Sequence, residues 1–220
     1  MKKFHRLTIK KKTPNHNLAL ITWNNLGEGI FEQSVFKHGL SCAILGKKIH
    51  NWSNYFKFDL TVNYLKNLNV DYVVGCDSHD ALLLNDPNDM LNKFVALDCE
   101  MLFNGERRFY PDVGDITSLW KENEYKRFGG RYPFLNAGAW IAKRDFAINF
   151  FSECNKVRIY DLMNCERYAF LKKDSIGCDQ SSIHATLAKF PEVRVDSNSV
   201  VFQNTAHVES DELHFTPTVL

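Results

Sequence analysis

From Asn17 to Phe202, short apolar runs rich in β-formers alternate with stretches whose apolar residues recur at helical spacing. That alternation is the pattern of a sheet with covering helices, so an α/β fold is expected. Strands are expected at Asn17–Trp23, Ser41–Leu45, Val70–Cys76, Phe94–Leu97, Val193–Val195 and Val200–Phe202, with Val70–Cys76 the clearest central one. The turn Gly27-Glu28-Gly29 leads to a helix through Phe31, Val35 and Phe36. Phe56, Leu60, Tyr64, Leu65 and Leu68 make one apolar stripe on a second helix. Arg144–Cys154 and Asp179–Lys189 read as further helices, the last opening on an acid and burying Ile183 and Leu187. Asn104–Tyr132 is polar, aromatic-rich and weakly periodic, so it reads as a long irregular stretch, of the kind that is usually functional or mobile.

Composition matters mainly for what it excludes. The 220 residues carry 27 Lys+Arg against 26 Asp+Glu, a net charge of +1, which argues against a general nucleic-acid coat. Six of the basic residues lie in residues 1–12, MKKFHRLTIKKK, with no acid. The remainder then holds 27 − 6 = 21 basic against 26 acidic residues, so a basic tail precedes a mildly acidic body, residues 13–220, read as one domain. No apolar run approaches the roughly 18 residues of a membrane span, and no apolar core follows the first lysines to make a secretory signal. The six cysteines show no metal-binding spacing and several sit in apolar runs, so they read as reduced, structural thiols in a cytoplasmic protein.

The chemistry concentrates where the central strand ends, at Asp77-Ser78-His79-Asp80. In open α/β sheets, ligands bind beyond the carboxyl ends of strands. Two carboxylates three apart at such an end can converge on a hard divalent cation, Mn²⁺ or Mg²⁺, that completes its shell with water and phosphate. The other reading of the same spacing is a turn in which Asp77 and Asp80 bond their own backbone. Asp98-Cys99-Glu100 is a second acidic pair. In Phe134–Ile141 an Asn and a Gly interrupt an apolar run, either to face a sugar or phosphate or as a strand with a bulge at the glycine. Asp179-Gln180 opens a helix, as a cap or as a polar pair holding hydroxyl groups. His184 reads as a satisfied core or surface histidine.

Taken in order, these segments resemble a nucleotide-sugar glycosyltransferase of the GT-A type, and more closely the glycosyltransferase domain of procollagen lysyl hydroxylases and the collagen galactosyltransferase-like proteins. The stretch concerned runs from Leu18 to Leu220. Asp77-Ser78-His79-Asp80 is similar to the family's Asp-Ser-aromatic-Asp metal motif. Ala96–Glu100 followed by Tyr110-Pro111-Asp112 resembles its Ala-Glu then Pro-Asp segment, and Phe134–Gly138 its Leu-Asn-Ser-Gly stretch. Cys178-Asp179-Gln180 resembles its Asp-Asp-Gln, and Val201-Phe202-Gln203-Asn204 its Phe-Gln-Asn strand end.

The resemblance implies a GT-A-like, Rossmann-like, mixed but mainly parallel sheet flanked by helices. It implies a hexosyltransferase moving galactose or glucose from a UDP-sugar to a hydroxyl of a glycan or a hydroxylysine-like residue. Asp77 and Asp80 would hold Mn²⁺ (or Mg²⁺) against the diphosphate. Thr22, Trp23, Ser78 and His79 would lie towards the uridine, Trp52 and Lys57 would approach the donor, and Asn136, Gly138 and Gln180 would line the sugar and acceptor side. Asp179 is the expected catalytic carboxylate. The sequence departs from the family in three places. His79 stands for the aromatic residue, Cys178 for the first acid of Asp-Asp-Gln, and the family's third metal ligand, a histidine, falls beyond Leu220. The chain being cut before that ligand is the favoured reading; His207 or His214 replacing it, or weak metal holding, are the others. Those departures also motivate the alternative of a glycosyltransferase-shaped binding or scaffolding module with weakened turnover.

Overall fold

The computed structural model describes residues 17–112, 115–157 and 178–208; the basic tail, residues 1–12, lies outside them. Six strands form one sheet in the order β2-β1-β3-β5-β4-β6. They are β1 Leu18–Trp23, β2 Ala43–Leu45, β3 Tyr72–Asp77, β4 Met101–Glu106, β5 Phe134–Lys143 and β6 Val193–Asp196. β1 is parallel to β2 and β3, and β4 is parallel to β6, whereas β5 runs antiparallel to β3 and β4. Five of the six strands therefore point one way, giving the mixed, mainly parallel sheet that was expected. The helices are α1 Ile30–Lys37, α2 Phe56–Lys66, α3 Pro87–Ala96, α4 Asp115–Phe128, α5 Arg144–Lys156 and α6 Asp179–Thr186. No helix among the described residues is long and apolar enough to cross a membrane.

The two faces of the sheet bury separate apolar layers. On one, Ile21, Val73 and Phe103 meet Phe58 and Leu65 of α2, Phe150 and Phe151 of α5 and Ile183 of α6. On the other, Leu20, Val74, Leu102 and Ile141 meet Phe31 and Val35 of α1 and Leu91 and Phe94 of α3. Neighbouring residues such as Val73 and Val74 go to opposite layers, as the strand period of two requires. Gly75 makes room for bulk in the first layer. A Cβ there would stand 2.5 Å from Trp140 and 2.7 Å from Trp23, so these two indoles, with centroids 6.1 Å apart, can close over β3.

Three expectations change. Phe94–Leu97 is not a strand but the end of α3, which Asp86 opens by accepting from the Asn88 N–H at 2.9 Å with Pro87 in the first turn. Leu91 and Phe94, three apart, form its buried stripe. Asn104–Tyr132 is not irregular throughout, because it holds the end of β4 and the 14-residue α4. Val200–Phe202 forms no strand: the buried Asp196 carboxylate takes the N–H groups of Val200, Val201 and Phe202 at 2.8, 2.7 and 2.7 Å. The helix expected through Phe31, Val35 and Phe36 is α1, which buries Phe31 and Val35 and leaves Phe36 exposed.

β5 bulges where the sequence suggested. Its pairing with β4 jumps from Phe103↔Trp140 to Asn104↔Asn136, leaving Ala137, Gly138 and Ala139 without β4 partners. This lifts Gly138 beside the end of β3.

Candidate functional site

All the parallel strands end on one edge of the sheet, and the bulge of β5 lies against the same edge. Asp77 is the last residue of β3, half-way out of the core with 27% of its side chain exposed. Lys57, the second residue of α2, reaches it from the face that α2 covers. The Lys57 ammonium stands 2.7 Å from Asp77 Oδ1 and 3.0 Å from Asp179 Oδ2, and its side chain is only 12% exposed. Residues 57, 77 and 179, from three distant segments, thus meet around one positive charge. Trp23 forms the floor: the ammonium lies 5.5 Å from its ring centroid, and its indole N–H donates to Thr61 Oγ1 at 3.0 Å.

The charge in this cluster is unbalanced. Burial would pull the Lys57 ammonium down, but the carboxylates of Asp179 and Asp77 hold it above the ordinary lysine value. Burial pushes the Asp77 carboxyl up to about 6; Lys57 opposes the rise, whereas Asp179 and Asp80 add to it. Three carboxylates acting around one ammonium leave a local excess of negative charge.

That excess tests the expected metal. Asp77 Oδ1 is taken by Lys57, leaving Oδ2, the oxygen that faces Gly138. Asp80 is exposed and close enough to raise the Asp77 carboxyl. Hard oxygen ligands with surplus negative charge fit a divalent cation that draws its remaining ligands from water and phosphate. Among the described residues, no three His, Cys, Asp or Glu side chains are grouped to hold a metal ion, so His207 does not complete a set with Asp77 and Asp80. His214 lies outside the described residues.

Gly138 completes this corner by being small. A Cβ there would lie 3.2 Å from Asp77 Oδ2 and 3.0 Å from Asn136 Oδ1. Its N–H donates to that Asn136 oxygen at 2.9 Å, so Asn136 ties down the bulge. Beyond it, Gln180 of α6 accepts from the Ala137 N–H at 2.9 Å and donates to Glu106 Oε1 at 2.7 Å and to the Tyr110 carbonyl at 2.8 Å. Asn136 also donates to Glu106 Oε2, at 3.4 Å. Burial raises the Glu106 carboxyl, while these bonds from Gln180 and Asn136 restrain it.

Of the expected site residues, Asp77, Lys57 and Asp179 are brought into contact, and Asn136, Gly138 and Gln180 form the adjoining wall. Trp23, at the end of β1, is nearly fully buried beneath the cluster, whereas its neighbour Thr22, fully buried, faces the opposite layer of the sheet. Ser78 is buried too: its hydroxyl donates to the Glu32 carboxylate at 2.7 Å and accepts from Asn24 Nδ2 at 2.7 Å. His79 is exposed. Trp52 is half-buried, with its N–H on Asn54 Oδ1 at 2.9 Å and its ring edge-on to Phe56. Glu100, in the second acidic pair, lies at the opposite edge of the sheet on Lys143. The carboxylate reaching the site from β4 is instead Glu106, whose signal was the abrupt end of the apolar run Met101-Leu102-Phe103 in Asn-Gly-Glu. The five described cysteines are free, and burial pushes the Cys42 and Cys99 thiols up to about 11, in keeping with inert thiols.

No protein-family profile matches this chain. Over 75 residues, 33% of its length, it is 29% identical to Uncharacterized protein R699 of Acanthamoeba polyphaga mimivirus; that stretch is 15% of the viral protein. Among solved structures it is similar to that of A197 from STIV, with a TM-score of 0.45 and 12% identity over 82% of each chain.

Proposed function

We propose that this chain is a metal-dependent glycosyltransferase of the GT-A type that takes a hexose, galactose or glucose, from UDP and passes it to a hydroxyl of a glycan or of a hydroxylysine-like residue. One observation carries the reading: a buried ammonium joins Asp77, at a parallel-strand end, to Asp179, at a helix start, with Gly138 bare against the first carboxylate. Such a corner suits a diphosphate, because the edge beyond the strand ends admits a ligand. Lys57 offers a point charge for phosphate, and Gly138 lets a substrate approach the backbone.

The transfer breaks the anomeric C–O bond to the diphosphate, and UDP leaves with the electron pair. An acceptor hydroxyl takes its place at the anomeric carbon, and its proton passes to the departing diphosphate or to water. A divalent cation held by Asp77 and Asp80 would supply neutralisation of the charge growing on the leaving diphosphate. Lys57 can trade a carboxylate for a phosphate oxygen, which frees Asp179. That carboxylate then faces the sugar, where it can orient hydroxyls or balance positive charge at the anomeric carbon. Gln180, Asn136 and Glu106 offer fixed donors and acceptors for the hydroxyls of sugar and acceptor.

The experiment is a screen of UDP-sugars for UDP release with Mn²⁺ and no acceptor. The reading predicts release from a UDP-hexose that stops on chelation. No release from any UDP-sugar, with UDP still bound, would favour the second reading: a binding module of the same shape. The buried thiol of Cys178, in the position beside Asp179 where a second acid was expected, is the observation in its favour.

A further inference from the structure

The proposed reaction leaves one buried ionisable pair unused. His184 of α6 has a side chain with no exposure, and Glu124 of α4 facing it has 4%. The imidazole is flanked by aromatic rings: Phe109 stacks at 4.5 Å between centroids, 30° from parallel, and Trp120 at 6.3 Å, 25° from parallel. Both ring nitrogens are engaged. Nε2 meets the Tyr110 carbonyl at 2.9 Å, and since a carbonyl can only accept, Nε2 carries a proton. Nδ1 faces Glu124 Oε1 in a close contact, and one proton serves that contact whichever group holds it. The other Glu124 oxygen accepts from the Leu135 N–H at 3.0 Å.

These bonds close a ring around the wall of the site. Gln180 and His184 are four apart on α6 and so share a face, and both donate to the one Tyr110 carbonyl, at 2.8 and 2.9 Å. Glu124 holds Leu135 and Gln180 holds Ala137, and between them stands Asn136, the residue that ties down Gly138. A pair this buried is a poor stabiliser, because apolar residues of equal volume often serve as well or better. Its position points to another role.

We propose that the Glu124–His184 pair is the positioning device for the acceptor side of the site, fixing Gln180 and Asn136, and through them Glu106, in one geometry. The proposal rests on the transferase reading above. It separates the site into two halves. Asp77 and Lys57 bind the diphosphate without the pair, whereas the alignment of sugar and acceptor depends on it.

Two variants test this, using the UDP-hexose that gives most UDP release in the presence of Mn²⁺. Combining Glu124→Leu with His184→Phe fills the same space without charge; it takes the acceptor from the buried Leu135 N–H, so it should melt a few degrees below the wild type while staying folded. Its kcat should fall about 100-fold, as a small misplacement can cause, while KM for the UDP-hexose and the affinity for UDP stay within about threefold of the wild-type values. Glu124→Gln can still accept from Leu135 and donate to Nδ1 of a neutral imidazole, so it should retain kcat within about threefold. Wild-type kcat in the apolar pair, or KM and UDP affinity lost together with kcat, would overturn the positioning role. A wild-type protein that binds no UDP and releases none would overturn the transferase reading itself, and the inference with it.

Discussion

Replacing Asp77 by Asn should make the cation-free protein more stable at neutral pH, although it removes half of an ion pair. Asp77 ionises against burial and against Asp179 and Asp80, so its carboxyl is raised from an ordinary 3.8 to about 6 despite Lys57. Between those values the folded state binds more protons than the unfolded one, and stability falls as pH rises through the window. The penalty is fully present above about pH 6.5 and absent below about pH 4. A rise of roughly two pH units corresponds to at most about 3 kcal/mol, less what water screens from a partly exposed side chain. Asn mimics the neutral acid, and Lys57 keeps Asp179 at 3.0 Å. At roughly 2–4 °C per kcal/mol for a chain of this size, Asp77→Asn should melt about 5–10 °C above wild type at pH 7.5 in EDTA. At pH 4 the two should nearly coincide. Thermal unfolding followed by circular dichroism at both pH values reads this directly. A variant that melts below wild type at pH 7.5 would refute the reasoning, since it would mean that the Lys57 pair outweighs burial and carboxylate repulsion.

Lys57→Met acts in the opposite sense. It leaves Asp77 and Asp179 without their counter-charge, so the protein should lose about 3–5 kcal/mol at pH 7.5, read from urea midpoints. Gly138→Ala places a methyl 3.2 Å from Asp77 Oδ2 and 3.0 Å from Asn136 Oδ1. UDP affinity measured by calorimetry should therefore fall at least about tenfold while the melting temperature moves little, because the site edge, not the core, has to give. Asp196→Ala frees three N–H groups at Val200, Val201 and Phe202. Their amide exchange should quicken strongly, with a stability loss of about 1–3 kcal/mol as one buried and two part-buried donors lose their acceptor.

Much of the fold was legible because its central strands are apolar runs with no competing interpretation. β1 and β3 lie where such runs predicted them, and the Gly138 bulge was announced by Asn and Gly inside an apolar stretch. Phe94–Leu97 misled because four residues cannot display a helical period; the Asp86-Pro87 start and the Leu91–Phe94 spacing carry the helix instead. α4 was hidden for a different reason. Its buried positions include Thr117 and Glu124, so the inward face is polar and leaves no apolar stripe to read. In the site, Asp77 and Asp179 stood out singly as acids at a strand end and a helix start. That Lys57 would bind both, or that Glu106, Glu124 and His184 would close the neighbouring wall, depends on contacts 20 to 122 residues apart in the chain. No local spacing records these.

Asp77 is the proposed meeting point of a cation and a diphosphate. Titrating UDP into the protein at pH 7.5, with Mn²⁺ and then with EDTA, tests it most directly when repeated on Asp77→Ala. Binding that requires Mn²⁺ in the wild type and is absent from the variant is the predicted result. Equal UDP affinity in the variant, or affinity indifferent to Mn²⁺, would contradict it.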